Sequence, residues 1–518
     1  MRPEVWRPPV ELTADERAVV GLMKQKSRLF LFLRTWRHEL LDEGFQGELA
    51  AVYEGRGKPP VPPAQLALAT ILQAYTGLSD EDVVEAATTD RRWQLVLGCL
   101  GTARAPFGKG TLWRFRQLVV RADLDRRLVE RTVAVAQQRG GFGARALRAA
   151  LDASPLWGAG RVEDTYNLLG HALRQAVGVL ARRQGRRLAD VAAAVGVPEL
   201  SRSSLKAALD VDWDDAAART AALTRVLEMV TAVASYVAAH EDAPGGAHAA
   251  VAVADRIRAQ DVVHTPAGAP ALAQGVARDR RISVTDGEMR HGRKSRTERV
   301  DGYKRHILRD LDSGLIHAVA VTAANVPESA ATPALQADLD RQGCTIAELH
   351  IDRGYLASPL VRDRPPERRI VGKPWPVRNG DRFPKTAFAI DWDAGTLTCP
   401  AGAVQPCAAG TTVRFPAATC AACGLRDRCT TRARGRTVAL HPDEPLLAQL
   451  RALQRTPDGR ARLRERAAVE HGLAHVGHWQ GRRARYRGVR KNLFDLRRAA
   501  VVHNLFVIAR RYPPPIAA

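Results

Sequence analysis

The chain has 518 residues, too many for one ordinary domain, and its 46% apolar content supports a buried core and excludes wholesale disorder. Its 78 basic residues against 55 acidic ones leave a net charge of +23, which points to a polyanionic partner, nucleic acid before any other. The opening MRPEVWRPPVELTADERAVV has prolines and acids where a secretory signal needs an apolar stretch, and no run reads as a membrane span; a cytoplasmic protein with no membrane partner is expected.

Residues 1–145 read as an all-helical N-terminal domain suited to DNA. PPAQLALATILQAYT predicts a helix after Pro63 that breaks at Gly77, and Ser79 with Asp82 three residues on forms a capping box for the next. After the break FGKG, Leu112, Phe115 and Val119 keep helical spacing, while Arg114, Arg116 and Arg121 are expected elsewhere on the surface. Basic faces on short helices suit DNA binding, although a solvated helical bundle has the same appearance.

ALRAALD then reads as a strand, a weak one because Ala has low β propensity, ending at Asp152. A helical insertion follows over about 162–265, with Leu223, Val226, Leu227, Val230 and Val237 as its apolar stripe and HEDAPGGAHAA, 240–250, as a linker. From about 280 the period changes. VDGYKRHILRDLDSGLIHAVAVTAANVPES reads as two strands joined at Asp312-Ser313-Gly314; PALQADLDRQG is a helix ended by Gly343, and TIAELHID and RRIVGKP are further strands. A cysteine-bearing insertion occupies about 376–435, helices resume over 444–510, and RYPPPIAA is a non-helical tail.

Three acids sit at comparable places: Asp152 and Asp352 after presumed strands, and Glu470 beside the apolar pair Val469 and Leu473 of a C-terminal helix. Asp352 could simply cap the turn Arg353-Gly354-Tyr355, and Glu470 could pair with Arg466 on the surface for a few tenths of a kcal/mol, roughly. Phosphodiester chemistry offers the other reading. It needs charge neutralised on both the entering and the leaving oxygen, which two Mg²⁺ ions (or Mn²⁺ in their place) achieve when carboxylates converge from separate segments. Asp286 and Asp310 are rivals for the first acid, with turn or pairing duties as their simpler roles.

The stretches LDASPLWGAGRVEDTYNLL, DGYKRHILRDLDSGLI, TAANVPES, HIDRGYLASP and VEHGLAHVGHWQGRRARYRGVRKNLFDLRRAAVVHNL resemble, in order, the DDE transposases of bacterial insertion sequences, in the branch with a helical N-terminal domain. The resemblance runs from about residue 60 to 508. It implies an α/β, RNase H-like mixed sheet flanked by helices over 146–518, a catalytic triad of Asp152, Asp352 and Glu470 holding two Mg²⁺, and cleavage and joining of double-stranded DNA at element ends and target by a homodimer on paired ends. Candidate DNA contacts are Arg114, Arg116, Lys304, Arg466, Arg482 and Arg485. Relatives carry a Tyr-Arg-Glu-Lys signature around the last acid; Arg466 and Glu470 fit it, but Leu463 and Gly477 stand at the Tyr and Lys positions, with His478, Arg482 and Arg485 nearby as substitutes. The alternatives are a decayed transposase that only binds DNA, or a nuclease of the same fold.

Five of the seven cysteines fall between 399 and 429. Cys420, Cys423 and Cys429, completed by Cys399 or Cys407, make a candidate structural Zn²⁺ site, with unliganded thiols as the plainer reading.

Overall fold

The structure is a computed structural model that describes residues 3–512 apart from 25–26, 54–59, 141, 143–144, 241–243 and 295–296; the tail expected beyond Tyr512 lies outside the described residues. A six-stranded mixed sheet forms the frame: β1 (Ala146–Trp157), β2 (Arg290–Arg293), β3 (Arg299–Asp310), β4 (Ile316–Ala323), β5 (Thr345–Ile351) and β6 (Arg369–Gly372). Across the sheet the order is β4–β3–β1–β5–β6, with β2 lying along the first residues of β3 on the edge that β4 also uses. β1 is antiparallel to β3 and parallel to β5, which is parallel to β6.

The alanines that make β1 look weak suit its place. Ala149 and Ala150 are fully buried in the middle strand, where small side chains let the layers on both faces come close. β1 does not end at Asp152. It runs on to Trp157, because β3 continues to pair with it after β5 has stopped. The β3–β4 hairpin turns where expected: Asp310 accepts from the Ser313 N–H and hydroxyl, and Gly314 takes φ +78°.

Helices surround this frame, among them α1 (Pro63–Thr76), α2 (Lys109–Arg121), α3 (Leu124–Gln138), α4 (Thr165–Arg183), α5 (Ala216–Ala238), α6 (Gly245–Asp261), α7 (Thr332–Arg341), α8 (Ala467–Gln480) and α9 (Val489–Arg511). Gly77 ends α1 in the left-handed region, and Ser79 and Asp82 form the expected capping box. The N-terminal helices do not keep a core to themselves. Leu66 and Leu72 of α1, Phe115 of α2, Ile316 and Val319 of β4, and Leu496 and Leu505 of α9 belong to one apolar cluster. Polar ties reinforce it: Arg498 donates to Gln73 at 3.1 Å, and Asn504 to Thr132 at 2.9 Å.

The helical insertion has a separate core, with Leu173, Val177, Val226, Met229 and Ala254 among its buried residues. Although no run of the sequence reads as a membrane span, α5 is long and apolar enough by composition to cross one, and it serves here as a packing helix of that core. The linker assigned to 240–250 is shorter than expected. From Gly245 it is α6, because AHAAVAVA is strongly helix-forming and its Ala247 and Ala250 are buried. The cysteine-bearing insertion is also more structured than its composition suggests. Three short strands, Ala389–Asp391, Thr396–Thr398 and Val404–Pro406, and the pair Thr412–Arg414 with Thr437–Ala439 enclose Phe388, Leu397, Phe415 and Val438. Strands of three residues are too short to leave a readable period.

Candidate active site

The parallel register of β1 and β5 aligns Leu151 with Ile351, so the next residue on each strand is an aspartate. Asp152 and Asp352 therefore lie side by side at the carboxyl end of β5, on strands about 4.8 Å apart. Glu470 arrives from the first turn of α8. That helix lies close to β3: a Cβ on Gly472 would meet the Ile307 side chain at 3.1 Å, and Ile307 pairs with Asp152. Arg466, just before α8, joins the two acids, its guanidinium donating to Asp152 Oδ2 at 2.6 Å and to Glu470 Oε1 at 2.7 Å. The surface pair expected of Arg466 and Glu470 is thus one half of a bridge.

Burial pushes the Asp152 carboxyl above its ordinary range; Arg466 opposes the shift and Asp352 adds to it. Asp352 does cap the turn Arg353–Tyr355, accepting the Arg353 N–H at 2.6 Å, yet its side chain stays about half exposed. The two readings of this residue are compatible, because one lone pair closes the turn and the others face outward. Beneath the acids, Tyr355 is buried; its hydroxyl meets His306 Nδ1 at 2.7 Å, and His306 Nε2 meets Thr322 Oγ1 at 2.9 Å. Burial pushes the Tyr355 phenol up and the His306 imidazole down to about 3, so both stay neutral.

Glu328, which opens the turn Glu328–Ala331 after β4, was not singled out in the sequence and stands at the same place. Its Oε2 abuts Gly354, and burial, Asp152 and Asp352 all raise its carboxyl above the ordinary range, against Lys304 and Arg466. The only sequence signal was its place in TAANVPES, where an acid reads as a turn-former.

The candidate DNA contacts separate. Arg114 is exposed on α2 beside Trp113, itself 54% exposed. Arg116, expected on the same surface, is instead buried, its guanidinium held by Asp80 and by Gln73 Oε1 at 2.8 Å. It faces inward because it falls one residue from Phe115 on the packed side of α2. Lys304 is half-buried and donates to the Val326 carbonyl at 2.9 Å, so it lies inside the acidic site rather than on an open face. Arg482 and Arg485 are exposed on a segment that pairs with the end of β1, through Trp157 N–H to Arg482 O at 3.0 Å and Ala484 N–H to Trp157 O at 2.7 Å. Where relatives carry a lysine, Gly477 leaves room for the Arg305 guanidinium, 3.6 Å from where a Cβ would stand. Arg305 is buried and bonded to Ser154, Gln480 and two carbonyls, so it is not an exposed cation.

The rival acids have structural duties. Asp286 is buried and accepts from Tyr303 Oη at 2.5 Å and Gly488 N–H at 3.2 Å, while Asp310 closes its hairpin. A second group of ligand-type atoms, from Glu348, His350 and Glu465, lies within 4.8 Å of one another. Arg148, Arg369 and Arg462 reach Glu348 at 3.3–3.4 Å, which leaves a cation little to gain there.

In the cysteine-bearing subdomain, Cys399, Cys420, Cys423 and Cys429 line one cavity. Burial pushes the Cys429 thiol up, Arg436 opposes it, and Cys420, Cys399 and Cys423 press in the upward direction, whereas Cys407 is raised by burial and then by Asp391. Backbone N–H groups point at two of the sulfurs, Leu425 at Cys423 Sγ (3.4 Å) and Arg436 at Cys420 Sγ (3.5 Å). None of the seven cysteines is in a disulfide.

Comparison with known families gives three matches along the chain. Residues 26–118 match a transposase domain (DUF772), residues 263–371 match a transposase DDE domain, and residues 399–509 match a second transposase DDE domain. No curated protein and no solved structure matches the chain.

Proposed function

The chain belongs to the DDE-type transposases of insertion sequences, and from that premise we propose that Asp152, Asp352 and Glu470 are its catalytic acids. The observation that carries this reading is the register of β1 and β5, which sets Asp152 beside Asp352 although 200 residues separate them. Carboxylate oxygens are hard donors of the kind Mg²⁺ and Mn²⁺ take, and Asp152 is partly desolvated beside a second carboxylate, Asp352, with Arg466 opposing both effects. Two such ions, when bound, neutralise charge on the entering and leaving oxygens of the scissile phosphodiester. The chain's own residues do the rest. Asp152 and Asp352, at the ends of adjacent strands, would supply oxygens from two separate segments; Glu470 would complete the set from α8; Arg466 holds Asp152 and Glu470 together. Exposed Arg114, Arg482 and Arg485 supply phosphate contacts to element ends and target DNA, with two copies acting on paired ends.

Strand cleavage and joining follow as the activity. The test is Mg²⁺-dependent nicking of a labelled element-end duplex by the full chain. Near-normal nicking by Asp352→Asn overturns the assignment.

The four-cysteine cavity supports a structural Zn²⁺ held by Cys399, Cys420, Cys423 and Cys429, because N–H groups aimed at sulfur stabilise thiolates. About one zinc per chain is expected in protein purified without imidazole, since four thiolates close one tetrahedral site. Cys423→Ser lowers that content; zinc-free protein with an intact subdomain removes the idea.

A further inference from the structure

We propose that Glu328 is a fourth carboxylate of the cation site, shared with Asp152 and Asp352; this rests on the reading of that centre as metal-binding. The turn Glu328–Ala331 comes off β4, separated from β5 by β3 and β1, yet it delivers Glu328 Oε2 against Gly354, two residues past Asp352. Gly354 has an ordinary backbone, so its lack of a side chain matters for space and not for conformation: a Cβ there would collide with the carboxylate. The other acids each accept a backbone N–H, Asp152 from Ala153 at 2.8 Å and Asp352 from Arg353 at 2.6 Å. Glu328 is half-buried and, among the described residues, no donor hydrogen-bonds to it. Of the cations near it, Lys304 donates its ammonium to the Val326 carbonyl and Arg466 is committed to Asp152 and Glu470, while Arg293 and Lys294 line the same small cavity without a hydrogen bond to Glu328. A half-buried carboxylate with two like charges before it and no donor of its own is costly alone and well placed around a divalent ion.

The experiment is Mn²⁺ binding to the full chain without DNA, read from loss of the free-ion EPR signal. Glu328→Gln is expected to weaken binding roughly tenfold or more, as Asp152→Asn does, because affinity for such ions follows the number of charged ligands. Gly354→Ala keeps every charge but displaces the carboxylate, and it is expected to weaken binding in the same sense. Glu465→Gln serves as the acid outside the site and should bind like wild type. If Glu328→Gln and Gly354→Ala both bind Mn²⁺ normally while Asp152→Asn and Asp352→Asn lose it, Glu328 is only the counter-ion of Lys304 and the proposal fails with the metal centre intact. If none of these substitutions alters Mn²⁺ binding, the metal reading falls and the proposal with it.

Discussion

Glu348 lies within β5 and Asp352 one residue past its end, four residues apart, and each stands in a group of acids. Around Glu348 are His350 at 2.7 Å and three arginines from three elements, Arg148, Arg369 and Arg462, with Glu465 held by Arg148 as well. Around Asp352 are Asp152, Glu328 and, through Arg466, Glu470, four acids that share three cations: Arg466, divided between Asp152 and Glu470, Arg353 at 4.0 Å from Asp352, and Lys304 facing Glu328. By spacing alone the first group is the tighter candidate for a metal. By the count of fixed positive charge it is a closed ion-pair network, and the second group is the one left with charge to offset. Proximity of carboxylates does not make a cation site; a deficit of counter-charge does.

Rate should break the comparison most sharply. Asp352→Asn keeps shape but removes a ligand charge, and a loss of about 4 kcal/mol in transition-state stabilisation slows cleavage roughly 1000-fold. Glu465→Gln should stay within about twofold of wild type, the scale of an exposed pair worth well under 1 kcal/mol. Equal losses in the two variants, measured by nicking of the same duplex, would erase the distinction.

Stability should move the other way. Glu348→Gln leaves three arginines around a buried neutral amide, at a cost of about 1–3 kcal/mol after allowing for their partial exposure to water. Asp152→Asn in metal-free buffer should leave Tm unchanged or raise it. The sign follows from its raised folded-state carboxyl: ionised Asp152 costs stability at any pH above both its unfolded and folded values, and Asn removes that charge. A lower Tm for Asp152→Asn together with an unchanged Glu348→Gln would reverse the roles of the two groups.

Acid titration probes the floor of the site. His306 is depressed from 6.5 to about 3, so below pH 6.5 the unfolded chain takes up a proton that the folded one refuses. Stability contributed by neutral His306 is therefore full above about 6.5 and lost progressively as pH falls towards 3. His503, depressed to about 4 by burial, adds to the same slope. Tm measured across this window should fall less steeply in His306→Gln; an unchanged slope would remove His306 from the account.

The smallest effect separates the two arginines of α2. Arg114→Ala should weaken duplex binding by about 1 kcal/mol, reduce the salt slope by about one phosphate and leave Tm alone. Arg116→Ala strips Asp80 and Gln73 of their buried partner and should lower Tm instead.

These pairs also mark what could be read in the sequence. The order of strands and helices from β3 to β6 was legible because each run carries its own period and is punctuated by Gly314 and Gly343, both at positive φ. That Asp152 and Asp352 were comparable acids could be read as well; that they are neighbours depends on strand register, which a local pattern does not contain. Arg116 was misplaced because helical spacing identifies an apolar face and says nothing of the half-buried Asp80, from an earlier helix, that draws its guanidinium inward. Glu328 was missed because a turn residue gives no clue to what another turn, 26 residues on, will bring beside it. The Gly245 helix start and the short strands around the cysteines were lost to length, one at a polar boundary and the others below a full period.

The shared core of α1 and α9 has a consequence in time. Gln73 and Arg498 are 425 residues apart, and a ribosome adding about 5–20 residues per second needs about 20–85 s to make the second after the first. Through that interval Leu66 and Leu72 await the residues of α9 that will cover them. A message interrupted anywhere before Val489 thus yields no smaller working protein, only a chain with its apolar seam open to aggregation or proteolysis.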